Sequence, residues 1–247
     1  MTRDSRIFSK LGSFINAAIF VATFSAACIG QQETLVDGLW AQGNTIVLLA
    51  RFDQCGGPYR PVQPIVSTDG GTMWAVDGPR FEGSELLFIL SEGNELLIGG
   101  QVYAEGPTSS PFLLIYSFNK HQWSQIDIYS YAAELLGMAR EKETGHLLAW
   151  VRHIDMESET YSGPIYLHES VDDGETWDVT RDVAHVPASV PGLRFFQELP
   201  KRSGRWRVAR AGNAIEQLKD DGKWHRTMKL PLPIQQQCPV NEDDTRP

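Results

Sequence analysis

Arginines, tyrosines and carboxylates recur in this sequence at the ends of short apolar runs, where a folded chain would carry them on loops. Arg60, Arg80 and Arg181 bear planar, two-pronged donors that could converge on one ligand carboxylate. Tyr131 and Glu134 form a second pattern, a phenol with a carboxylate near enough in sequence to take its proton and leave a nucleophilic oxygen. The same loops hold Asp53, Tyr59, Glu82, Tyr129, Asp155, Glu157, Glu159, Tyr161, Asp182 and His185. The plainer account of all these side chains is solvated loop charge and aromatic packing, and only their mutual geometry separates the two.

Other chemistries leave fainter marks. The run Asp155-Met-Glu-Ser-Glu159 offers oxygen ligands for a calcium ion, but it lacks the glycine and spacing of a calcium loop. Histidines 121, 146, 153, 168, 185 and 225 show no zinc spacing, so no metal site is expected. There is no Gly-x-Ser-x-Gly elbow and no phosphate loop, and no cofactor is expected.

The elements that would position these residues are strands. Thr45–Ala50, Leu86–Leu90, Glu95–Ile98, Phe112–Tyr116, His146–Val151 and Pro164–Leu167 are apolar runs of four to six residues, each bounded by Gly, Pro, Asn, Asp or Ser. Tyr131–Arg140 alone has helical character, yet Gly137 and its place in the order favour a turn and then a strand. Four tryptophans, at 74, 123, 177 and 224, fall 49, 54 and 47 residues apart. A period near 50 with four short strands per unit predicts an all-β propeller of four four-stranded blades, at about 34–77, 84–128, 134–180 and 192–229. Residues 230–247 then supply a closing strand and tail, or part of a fifth blade.

Each tryptophan closes a related turn. Ser170-Val-Asp172-Asp-Gly174-Glu-Thr176-Trp177 is the sharpest copy, and Ser67-Thr-Asp69-Gly-Gly71-Thr-Met-Trp74 repeats it. Shorter echoes hold Asn119 with Trp123, and Asp220 and Gly222 with Trp224. The aspartate can accept backbone N–H groups of the turn it opens, the glycine supplies positive φ, and the indole can wedge between neighbouring sheets.

Residues 170–177 match every fixed position of Ser-x-Asp-x-Gly-x-Thr-Trp, and the chain thereby resembles the Asp-box (BNR-repeat) propellers of the sialidase-like superfamily. That resemblance implies structural boxes on the face away from the ligand site. It includes sialidases, assembly factors, receptors and exported proteins, so fold alone does not choose a function. Sialidases use an arginine triad, a tyrosine nucleophile assisted by a glutamate, and an aspartic acid or its equivalent as acid and base. Tyr59-Arg60-Pro61 only loosely echoes their Phe/Tyr-Arg-Ile-Pro signature, and it stands seven residues before the first box.

The N-terminus reads as an address. Arg3, Arg6 and Lys10 precede the apolar stretch Leu11–Ala27, which suits a secretory signal over residues 1–27. Ser25-Ala-Ala-Cys28 resembles a bacterial lipobox, with Ser25 where Leu is usual, so Cys28 becomes the candidate lipidation site and 28–33 a short linker. Ordinary cleavage after Ala27 is the alternative. Beyond residue 27 there remain 19 Lys and Arg against 30 Asp and Glu, a formal charge of −11. Such a surface is a poor partner for nucleic acid. Cys55 and Cys238 form an even pair in a disulfide-permissive compartment, and a bond between them would tie first blade to last.

The sequence therefore predicts an exported, periplasmic or cell-surface propeller, anchored to the membrane if Cys28 is acylated. It would act as a binding or assembly module for a protein or glycan on the face opposite the boxes. The alternative is a sialidase-like glycoside hydrolase.

Overall fold

The computed structural model describes residues 34–52, 61–81, 83–103, 109–129, 132–154 and 162–230, all within one compact unit spanning Gln32–Pro247. Cys28, Cys55, Cys238, Arg60, Tyr131 and the acidic run at 155–159 lie outside the described residues. So does the expected tail beyond Leu230.

Every described element is a strand, and every pairing is antiparallel. The first sheet is β1 (Thr34–Gln42), β2 (Thr45–Phe52), β3 (Val62–Ser67) and β4 (Ala75–Val76). The second is β5 (Ser84–Glu92), β6 (Glu95–Tyr103), β7 (Ser109–Ser117) and β8 (Gln122–Asp127). The third is β9 (Ala133–Glu141), β10 (Leu147–His153), β11 (Ile165–Ser170) and β12 (Asp178–Val183). The fourth is β15 (Arg202–Ser203), β16 (Trp206–Val208), β17 (Ala214–Leu218) and β18 (Trp224–Lys229). The protein is an all-β, propeller-like fold. Tyr131–Arg140 resolves as expected, with its described residues leading into the inner strand β9.

Sheets stack through shared apolar clusters. Trp206, Ile215 and Met228 of the fourth sheet pack with Leu39, Ile46 and Leu48 of the first. Val47, Val62 and Val66 of the first meet Leu96, Ile98 and Phe112 of the second. Leu97 and Leu113 of the second meet Leu135, Ala149 and Val151 of the third. The far face of the third sheet, with Trp150 and Leu167, is covered by Val186, Leu193 and Phe195. The far face of the fourth carries Arg202 and Arg207 over Trp224, at 5.3 and 4.1 Å from its ring centre. One end of the stack is therefore closed by the chain's own apolar residues and the other by cation–π contacts.

The fourth blade does not begin at 192 as the repeat spacing suggests; its sheet begins at Arg202. The preceding residues form β13 (Leu193–Phe195) and β14 (Gln197–Glu198), which pair with β9 and β5, the inner edges of the third and second sheets. Phe196 N then donates to Met138 O at 2.9 Å, and Leu39 N of β1 donates to Pro200 O at 2.8 Å. The backbone of Ala41 donates to Ser203 Oγ at 3.0 Å. One strap of chain thus visits the inner strands of sheets three, two and one before it becomes the inner strand of the fourth. The physical reason is that an inner strand is an edge strand, and its unpaired backbone groups need partners.

The box turns lock neighbouring sheets. A Cβ at Gly174 would lie 2.7 Å from Leu113 Cδ2 of the second sheet, and the residue has φ +95°. Gly222 has φ +73° but open space around it. Gly174→Ala should therefore cost about 2–4 kcal/mol, backbone strain plus overpacking, whereas Gly222→Ala should cost about 1 kcal/mol. Urea denaturation of the two variants measures the difference, and equal losses would show that the close contact with Leu113 contributes nothing.

Candidate functional site

The boxes hold their aspartates in structural work. Asp172 Oδ1 accepts from Thr176 N at 2.9 Å and from Ser170 Oγ at 2.8 Å, while Oδ2 accepts from Thr176 Oγ1 at 2.6 Å. Ser170 Oγ in turn accepts from Gly174 N at 2.7 Å, and Trp177 Nε1 donates to Gly174 O at 3.0 Å. The Thr176 bonds, with that of Ser170, hold the Asp172 carboxyl down to about 2. Ser67, Asp69, Gly71 and Trp74 repeat the arrangement, with Met73 N in place of the threonine amide, and Trp74 meets Trp206 edge-on at 6.3 Å. In the second turn Asn119 replaces the aspartate, His121 takes φ +50°, and the buried Trp123 Nε1 has no hydrogen-bond partner among the described residues. In the fourth turn Asp220 pairs with Arg205 at 2.6 Å, and the neighbouring Asp221 accepts Lys223 N at 2.9 Å.

The opposite end of the sheets, called here the loop end, gathers the chemistry. Each of the first three inner hairpins carries a β-bulge at the same place, with Asp37, Leu87 and Leu136 as the extra residues. Two pairs beyond the bulge, Glu85 opposes Gln101 and Glu134 opposes Arg152; the first sheet has Leu35 opposite Arg51. Because bulges aim side chains where a regular strand would not, Asp37 reaches Arg51 Nε at 2.6 Å. Burial pushes the Asp37 carboxyl up, opposed by Arg51 and Lys201 and reinforced by the charge of Glu85. Two carboxylates of adjacent sheets therefore sense each other at this end.

A partly buried polar chain extends from Glu85. Tyr103 Oη donates to Glu85 Oε2 at 2.5 Å, Gln101 Nε2 donates to Tyr103 Oη at 2.8 Å, and Gln101 Oε1 accepts Leu135 N of the third sheet at 3.2 Å. Gln101 is 5% exposed, so these bonds fix its side chain, and with it the phenol, against both sheets. Lys201, on the strap, donates to Val36 O, and burial lowers its ammonium.

Of the residues singled out in sequence, the described ones lie on different elements. Glu134 sits in the loop-end row but is engaged by Arg152 at 3.1 Å. Arg80 is half-buried in the connector from the first to the second sheet, and Arg181 is exposed on β12, the outermost strand of the third. Arg60 and Tyr131 are outside the described residues. Asp37, Arg51, Glu85, Gln101, Tyr103 and Lys201 escaped sequence reasoning. Glu85 and Gln101 left a signal, a polar residue near the start of an inner strand and another 16 residues later, and Asp37 and Arg51 repeat it at 14; Tyr103 and Lys201 left none.

No family model and no curated protein matches the chain. Among solved structures it is similar to the native arabinanase Arb43A of Bacillus subtilis, with 11% identity, 78% of this chain and 93% of that chain covered, and a TM-score of 0.31.

A second group lies between the second and third sheets. Val151 opposes Tyr166 and Ala149 opposes His168, so these aromatics share the face that packs on Leu97 and Leu113. Tyr129 stacks on His153 at 4.4 Å, and His153 lies 5.8 Å from His168 between ring centres. The Nε2 atoms of both histidines are buried with no partner among the described residues. Burial lowers both imidazoles, with His168 brought to about 4 from the usual 6.5. The unfolded chain therefore takes up the proton first, so stability is full above pH 6.5 and falls as pH drops toward 4. Unfolding free energy from urea titration should fall between pH 7 and 4.5, with His168 contributing on the order of 2 kcal/mol. His168→Leu should flatten that dependence; an unchanged slope would show that His168 is not its source.

Proposed function

We propose that the protein is an exported, membrane-anchored Asp-box propeller that serves as a binding or assembly module and takes a protein or glycan ligand at its loop end. One observation carries this reading. Beside Asp37 and Glu134 the arginines are already held by carboxylates within their own sheets, at 2.6 Å for Arg51 and 3.1 Å for Arg152. Rows of such preorganised, partly desolvated pairs suit recognition of a polar surface, because their geometry is set before the partner arrives. The strap across the inner strands supports the same reading, since it stiffens the sheets that present the row. Anchoring rests on the basic start, the apolar stretch and the Ser25-Ala-Ala-Cys28 pattern.

Two outcomes test it. Cys28→Ser should move the protein from the membrane fraction to the soluble fraction, and full membrane retention would remove the lipid anchor. Pull-down from native membranes should capture a partner that is lost in Arg152→Glu, at the loop end, and kept in Arg205→Glu, at the box end. Capture indifferent to Arg152 would place the binding surface elsewhere.

A second reading, a sialidase-like glycoside hydrolase, is favoured by one contact, the 2.5 Å bond from Tyr103 Oη to Glu85. In that reading Glu85 takes the phenolic proton as the oxygen attacks the sugar, and the leaving oxygen departs with a proton taken from solvent. Turnover of a fluorogenic sialoside should then fall at least 100-fold in Tyr103→Phe while the melting temperature is kept. Absence of turnover in the unaltered protein removes the enzyme.

A further inference from the structure

At the loop end, beside the Asp37–Arg51 pair, β1 and the turn between β16 and β17 enclose a pocket of about 360 Å³. This is within the usual range for small-molecule sites, about 300–1,000 Å³. Leu35, Val36, Val208 and Ala209 line it together with Lys201 and Arg210. Leu35 is 46% exposed, one of few large apolar side chains left open to solvent in the described surface. A single exposed leucine is ordinary, but as part of the pocket lining it offers apolar area that a ligand could cover.

The cations are the second observation. Lys201 is drawn against Val36 O, and its ammonium is disfavoured by burial and by Arg51 while Asp37 offsets this in part. Arg210 has no carboxylate partner among the described residues. In a domain whose formal charge is −11, two cations lining a pocket with four apolar residues, and one carboxylate nearby, form a local positive site. Lys201 lines this pocket and also senses the charges of Asp37 and Arg51 in the loop-end row.

We infer that this pocket binds a small apolar carboxylate, its chain laid on Leu35, Val36, Val208 and Ala209 and its carboxylate held by Arg210 and Lys201. The inference rests on the binding-module reading and names a ligand class for the same end of the molecule. Arginine supplies two parallel donors to a carboxylate, and the apolar lining rewards a chain rather than a free inorganic anion. A free aliphatic acid and the carboxyl end of an apolar peptide present this same chemistry.

Calorimetric titration of the purified protein tests it with three probes: octanoate, N-acetyl-leucyl-leucine and octanol. Octanoate or the dipeptide should bind saturably at one site, and the tighter of the two identifies the source. Octanol should bind at least 10-fold more weakly. Arg210→Gln should weaken the carboxylate at least 10-fold, while Arg181→Gln, on the outer strand of the third sheet, should leave it unchanged. Val208→Asp should abolish binding with the melting temperature retained; if that variant unfolds, Arg210→Gln decides alone. No saturable binding by either carboxylate, equal binding of octanol, or indifference to Arg210 would overturn the proposal. If partner capture from membranes persists without carboxylate binding, only the pocket assignment fails. If carboxylates bind and no partner is captured, the pocket stands and the assembly reading fails.

Discussion

The inner edge of each sheet is the constraint on which the rest of this molecule depends. A four-stranded antiparallel sheet ends in a row of unpaired backbone groups, and each inner strand here would leave such a row at the centre of the stack. The strap from Leu193 to Ser203 meets that need for three sheets in turn, through β13 on β9, β14 on β5, and the bonds of Leu39 and Ala41. Its side chains act at the same time. Phe196 enters the cluster between the second and third sheets, Leu199 packs into that between the first and second, and Phe195 stacks on Trp150 at 5.5 Å.

With the inner edges paired, the two ends of the stack take on different tasks. At the box end, serine, aspartate and glycine close turns whose indoles fill the joints between sheets, and the strongly acidic Asp172 follows from the bonds that shape its turn. At the loop end, bulges tilt Asp37 and its neighbours out of the regular pleat. The same backbone irregularity recurs in three hairpins, yet its side-chain content differs: an ion pair in the first, a Glu–Tyr–Gln chain in the second, an ion pair in the third. Repetition supplies the framework, and divergence at equivalent positions supplies the chemistry.

Much of the fold was legible in sequence because its signals are local. Apolar runs of four to six residues between turn-forming residues fit strands better than helices, and tryptophans near every fiftieth residue mark a repeating unit. The candidate site was far less legible. Tyr103 and Glu85 are 18 residues apart, and Lys201 stands 164 residues from Asp37. Nothing in the chain's order announces these meetings. Arg80 and Arg181, which looked equivalent as loop arginines, fall on a half-buried connector and an exposed outer strand. The fourth repeat misled for a related reason: residues 192–200 have strand composition, but the partners they pair with belong to other sheets.

The sequence by itself determined the strand character, the repeat and the box turns, since each depends on residues within a few positions of one another. Only the tertiary structure decided which edges the strap would pair, which polar residues would share the loop end, and that the Nε2 atoms of His153 and His168 would be buried with no hydrogen-bond partner among the described residues. Those outcomes depend on hydrogen bonds and burial between sheets, and such interactions exist only once distant parts of the chain have been brought together.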